Sequence, residues 1–177
     1  MKYLIMCEGP NELEIINILL RHDCLKFTRD DLLGLSAYHA RQIKSSTIVK
    51  TNLNLYPGSV NILRVGDKLS ERLVVPSEYQ TKVISIDKYC TKPELEMLLI
   101  ISEGLTADYE KVKSKEKPKI FAKKNIKYGR RSYKNDTAFY TEYYGNNPHL
   151  LVESIQEYHR IKGSHKKDEH YLAELLK

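Results

Sequence analysis

Lys2 to Arg21, KYLIMCEGPNELEIINILLR, restricts the possible folds more than any other part of the chain. Tyr3 to Cys7 is an unbroken apolar run of strand length, Gly9-Pro10 interrupts it, and Leu13, Ile16, Leu19 and Leu20 then return at helical spacing. Pro10 and Asn11 suit a first helical turn. The expected unit is a buried strand, a sharp turn and an amphipathic helix. Glu8 stands in that turn, on the rim where open α/β sheets bind their ligands. A carboxylate at a helix N-terminus is also stabilised by the helix dipole without any further role. Glu8 therefore gains functional weight only from a second acidic strand end.

Lys82 to Asp87, KVISID, supplies one: Val83, Ile84 and Ile86 bracket Ser85 in a second buried strand that ends on an acid. Val60, Ile62, Leu63 and Val65 mark a further strand closed by Gly66-Asp67, with a brief helical turn expected from Leu69 to Arg72. If the strands ending at Glu8 and Asp87 are parallel neighbours joined by right-handed crossovers, their end loops share one rim. Carboxylates gathered there repel one another unless a cation or a proton is shared. Mg²⁺, or Mn²⁺ in its place, suits such a site, because it takes oxygen ligands, keeps several waters and completes its shell with phosphate. Pro93 is expected to open a helix carrying Leu95, Leu98 and Leu99 and ending at Gly104. Glu94 falls in its first turn and Glu96 nearly half a turn away, so both cannot face one ion, and position favours Glu94.

Elsewhere the pattern predicts a short capped helix from Thr28 to Leu35, a helix from Ser36 to Ser46 that could bring His39 and Arg41 to the rim, and partial alternation from Thr47 to Tyr56. Helices are expected over Thr106 to Lys113, over Asn147 to Ile161 with Gly163 beyond its end, and over Asp168 to Leu176. The length, 177 residues, suits one well-filled core. Residues 1–110 read as the α/β core, and 111–177 as a basic segment and C-terminal helices packing on it.

The formal charge of +6 favours a polyanionic partner, and its distribution is uneven. From Lys111 to Lys134 there are eleven Lys or Arg and one acid, Glu116, interleaved with Phe121, Tyr128 and Tyr133. Pro118 and Gly129-Arg130-Arg131 suggest a loop or hairpin there. Lys117, Lys119, Lys123, Lys124, Lys127, Arg130 and Arg131, together with Lys88, are the candidate contacts to a nucleic-acid backbone, DNA or RNA, with the aromatic rings available for stacking. The three cysteines lack metal-ligand spacing. Cys7 and Cys24 read as packed thiols and Cys90 as an accessible one. The six histidines form no zinc pattern. No signal segment or apolar run of membrane-spanning length is present, so a cytoplasmic protein without a membrane partner is expected.

LIMCEGPNELEIINILL resembles the opening EGxxE element of Toprim domains, with Glu8, Gly9 and Glu12 supplying the pattern. VISIDKYCTKPELEMLLI is similar to the second Toprim element followed by the proline-acid helix of RloB-like phage-defence proteins, of the form S-x-P-x-x-E. Thr91, Pro93 and Glu96 stand at those positions, which leans toward Glu96. The resemblance, closest to RloB-like and OLD-type nucleases, runs from Met1 to about Glu103. It implies a Toprim-like (Rossmann-like), mostly parallel sheet flanked by helices, with a basic C-terminal extension. It also implies Mg²⁺-dependent cleavage of nucleic-acid phosphodiesters, with Glu8 as general acid or base and Asp87, with Glu94 or Glu96, holding the metal. Asp87-Lys88-Tyr89 keeps only the first acid of the family's Asp-x-Asp. Two alternatives stay open: a nucleic-acid-binding module that has lost turnover, and a subunit that docks on a partner protein of a defence or repair assembly.

Overall fold

The computed structural model describes residues 1–68, 70–162 and 165–177. The expectations for Leu69 and Gly163 lie outside the described residues. Five parallel strands form one sheet in the order β2-β1-β3-β4-β7: β1 (Lys2–Cys7), β2 (Tyr38–His39), β3 (Val60–Gly66), β4 (Val83–Cys90) and β7 (Glu169–Tyr171). β1 and β3 are central because their side chains are apolar on both faces. Ile5, Cys7, Leu63 and Val65 enter one core, and Leu4, Met6, Val60 and Ile62 enter the other. That alternation, with period two, is what a strand covered on both sides requires.

The larger core is closed by α1 (Pro10–Arg21), α3 (Met97–Ser102), α4 (Thr106–Val112), α5 (Pro118–Asn125), α6 (Thr137–Tyr144) and α7 (Pro148–Ile161). Ile16 and Leu19 of α1 are fully buried there, each stabilising the fold by roughly 1.5–3 kcal/mol of transfer free energy. The smaller core lies under α2 (Thr47–Leu55) and the Leu73–Tyr79 segment. The C-terminal part is built into the same layers: α7 packs on α3, and β7 joins the sheet edge beside β4. Between α5 and α6 the chain makes a small antiparallel hairpin, β5 (Lys127–Tyr128) and β6 (Arg131–Ser132). Gly129, at φ 59°, supplies the left-handed backbone its two-residue turn needs. No helix among the described residues is long and apolar enough to cross a membrane.

Several elements differ from the sequence pattern, each because of a non-local partner. β3 lies between β1 and β4, so the strands of Glu8 and Asp87 are not neighbours. β4 continues past Asp87 to Cys90 because Lys88, Tyr89 and Cys90 pair with β3 on one side and β7 on the other, and the Lys88–Asp168 ion pair at 2.7 Å adds to the β7 side. Nor is its first half buried: Ile84 is 63% exposed. Residues 36–46 hold no helix, only β2 and a loop, since Met6 and Cys7 pair with Tyr38 and His39. Thr47–Leu55 is helical, with Ser46 Oγ accepting from the Val49 N–H and Val49 and Leu53 buried at i, i+4. Thr28 to Leu35 forms two 3₁₀ turns, and Asp168 to Leu176 gives β7 and a 3₁₀ turn rather than a helix. Cys90, expected to be accessible, is fully buried.

Candidate active site

At the C-terminal rim of the sheet lies a cavity of ≈ 450 Å³ lined by five carboxylate residues, Glu8, Glu12, Asp67, Glu94 and Glu96, and four cationic ones, Arg41, Lys68, Lys117 and Lys119. Glu8 leaves the end of β1 with its backbone pinned on two sides. Its N–H donates to the Val65 carbonyl at 2.8 Å, and its own carbonyl accepts from Arg41 Nε at 3.2 Å. The carboxylate is held as well, with Oε2 accepting the Lys68 N–H at 2.9 Å. Gly66 makes room for it, because a Cβ there would lie 2.4 Å from Glu8 Oε2 and 2.6 Å from Glu8 Cβ. Asp67, which follows Gly66 at the end of the neighbouring strand, lines the same cavity.

Glu12 extends from the first turn of α1 over Gly9, whose absent Cβ would meet Glu12 Oε2 at 2.6 Å. Burial, and then the charges of Asp67, Glu8 and Glu96, push its carboxyl up to about 7, against the opposing pull of its own backbone hydrogen bond. The sign follows directly. An acid whose folded value is raised binds its proton more tightly folded than unfolded, so folding is favoured below about 4.5, and that advantage fades as pH climbs to about 7. The cation-free protein is expected to lose up to about 3 kcal/mol between pH 4.5 and 7 from this group. Unfolding in urea at several pH values measures it, and a flat profile would count against the burial of Glu12 among the other acids.

The other acids are held by residues remote in sequence. Glu94 Oε2 accepts the Lys119 N–H at 2.8 Å, which makes Glu94 a cap for α5. Glu96 is 2% exposed, and its Oε1 accepts from the Tyr133 hydroxyl at 2.7 Å, with the Tyr140 hydroxyl a further 3.2 Å from that of Tyr133. Burial raises the Glu96 carboxyl, offset in part by Tyr133 and by the Lys119 ammonium 4.0 Å away. Tyr133→Phe strips the buried oxygen of this donor and is expected to cost about 1–3 kcal/mol, read as a lower urea midpoint. α3 begins only at Met97, so both acids sit on the preceding turn, which lets both reach the cavity.

Asp87 lies inside β4 opposite Leu63, accepts from Ser85 Oγ at 2.8 Å, and does not line the cavity. Of the candidate cations, Lys117 and Lys119 reach the cavity wall. Lys123, Lys127 and Arg130 are exposed, whereas Lys124 is paired with Glu116, Arg131 with Asp136 and Glu142, and Lys88 with Asp168. Two of the rings expected to stack on bases are core residues: Phe121 is 6% and Tyr133 1% exposed, because α5 and the hairpin fold inward on them. Only Tyr128 is open, edge-on to Tyr143. The sequence signal for Asp67 is a strand closed by Gly-Asp, which does not point to the rim without the sheet order; Arg41, expected at the rim on a helix, lines the cavity from the loop after β2 instead.

Among the described residues no three His, Cys, Asp or Glu side chains are drawn together as a ready metal cage. The donors nonetheless fit a magnesium ion of the usual kind, held by one or two carboxylates and completed by water and phosphate. All are oxygens, two of them follow adjacent strand ends, and Glu12, raised first by burial and then by the charges of Asp67, Glu8 and Glu96, lines the same cavity. Comparison of the chain with protein-family profiles, with characterised proteins and with solved structures found no match.

Proposed function

We propose that the chain is a Toprim-like, Mg²⁺-dependent nuclease that cleaves nucleic-acid phosphodiesters at the cavity above β1 and β3. The observation that carries this reading is that Glu8, Glu12 and Asp67 line one cavity whose walls also bear Arg41, Lys68, Lys117 and Lys119. Acids alone would repel a phosphodiester, and bases alone would bind it without turnover. Both are needed for metal-assisted phosphoryl chemistry, in which a bound cation polarises the phosphoryl oxygens and offsets charge on the leaving oxygen.

Glu8 and Asp67 would hold the ion from adjacent strand ends. Glu12, on the same cavity wall as Glu8 and Asp67, would accept a proton from the attacking water and return it to the leaving oxygen. Arg41 and the lysines would orient the strand and neutralise its flanking phosphates. Glu94 and Glu96, tied to α5 and Tyr133, would fix the opposite wall. Asp67 takes the place that the sequence pattern gives to Asp87, since it follows the strand paired directly with β1.

Incubation of the purified protein with single- and double-stranded DNA and RNA, with Mg²⁺ or Mn²⁺, is the decisive assay. Divalent-dependent cleavage lost in Asp67→Asn supports the reading. Binding of nucleic acid with no cleavage under any ion would instead make the chain a binding module. In either case Lys117→Ala with Lys119→Ala is expected to lower the slope of log affinity against log salt by about one unit per lysine. An unchanged slope would remove both from the strand's path.

A further inference from the structure

A second cavity, of ≈ 430 Å³, opens beside the first, on the far side of the loop that follows β3. The two share Asp67 and Lys68 as a common wall. Its remaining lining holds three lysines, Lys88, Lys92 and Lys166, with Ser70, against two acids, Asp168 and Glu169. Those two acids are already paired, Asp168 with Lys88 and Glu169 with Lys92, across the β4–β7 seam. Among the described residues no ion pair closes on the Lys68 or Lys166 ammonium, although the charge of Lys166 is felt by Asp168 and Glu169.

We propose that this second cavity is a phosphate subsite, so that the substrate carries a further phosphate next to the one that is cleaved; the inference rests on the nuclease reading for the identity of the neighbouring site. Three features argue for phosphate. The two lysines outside the seam pairs line one cavity, one on the loop after β3 and one before β7. Compact ammonium groups with rotatable donors bind phosphate as point charges, and the Ser70 hydroxyl adds a neutral donor. Finally, Lys68 belongs to both cavities, so it joins the space beside Glu8 to the second one. The phosphate could be internal to a longer strand or could end one.

Titration of inorganic phosphate into the full chain by calorimetry, at low salt and without divalent ions, tests the subsite apart from catalysis. Wild-type protein is expected to bind, and the Lys68→Ala, Lys166→Ala double variant to bind roughly tenfold more weakly. Lys111→Ala, whose ammonium pairs with Asp108 on α4, is the control and should not change binding. No binding by wild type, or an equal loss from Lys111→Ala, overturns the subsite. Short single-stranded oligonucleotides with a 5′-phosphate or a 5′-hydroxyl, compared by fluorescence anisotropy in EDTA, identify the source. A gain from the terminal phosphate that vanishes in the double variant assigns the cavity to a strand end. Equal affinity for the two, lowered by the double variant, assigns it to an internal phosphate, and affinity that the double variant leaves untouched overturns the proposal. Phosphate binding without any cleavage by the wild type would remove the nuclease reading and leave the subsite standing.

Discussion

Glu8→Gln is expected to lower divalent-dependent cleavage about a thousandfold while leaving the fold intact. Both backbone groups of Glu8 are engaged, with Val65 and with Arg41, and an amide oxygen can still accept the Lys68 N–H. Glutamine therefore takes the same place and lacks only the charge. On the proposed reading, that single loss would remove a metal-holding oxygen of full charge and leave Asp67, after the neighbouring strand, without its partner. A second readout separates this from general damage. Glu8 is one of the charges that raise the Glu12 carboxyl, so the cation-free variant should be at least as stable as wild type above neutral pH. Asp87→Asn is the comparison. With its carboxylate inside β4 on Ser85, it should keep cleavage within about threefold of wild type, in line with an ordinary substitution away from the reacting groups. If the asparagine at 87 proves as damaging as the glutamine at 8, the site does not lie in this cavity.

What could be read along the chain and what could not divide by the range of the interactions involved. β1, the turn and α1 are visible because every cue is local: an apolar run, Gly9-Pro10, then a helical repeat. The same holds for α7, with Asn147 as its cap and Pro148 in its first turn. β4 misleads because its last three residues are held on both sides, by β3 and by β7 some eighty residues later, and nothing in Lys88-Tyr89-Cys90 announces those partners. Asp87 looked terminal for that reason. Asp67 was equally visible as an acid closing a strand, and its importance depends wholly on β3 lying next to β1. The basic segment shows the converse error. Its charges are largely at the surface as expected, but Phe121 and Tyr133 alternate with them because the segment is amphipathic and closes the core. Tyr133 then reaches Glu96, a contact between residues with no local relation, and this is how a buried carboxylate in the cavity wall obtains its donor.

Gly66→Ala is expected to cost about 1–3 kcal/mol and to abolish the site's hold on a divalent ion, although it adds one methyl group. The methyl would stand 2.6 Å from Glu8 Cβ, an atom fixed to the backbone of the adjacent strand end rather than to the far end of a movable chain. Relief therefore requires β1 and β3 to shift at the rim, where the Glu8 N–H bonds the Val65 carbonyl and Gly66 accepts from the Thr91 N–H at 3.0 Å. Gly9→Ala meets Glu12 Oε2 at an equally short 2.6 Å, but that oxygen ends a flexible side chain and can swing aside. Its expected cost is correspondingly small, within about 1 kcal/mol, while Glu12 is turned away from its neighbours. Urea unfolding of the two variants, with and without Mg²⁺, distinguishes the cases. Gly66→Ala should show a lower midpoint that Mg²⁺ does not restore, and Gly9→Ala a near-normal midpoint with a weakened response to the ion. Equal tolerance of alanine at both positions would mean that Glu8 is not wedged against the β3 end, and the close approach of the two acidic strand ends would lose its structural basis.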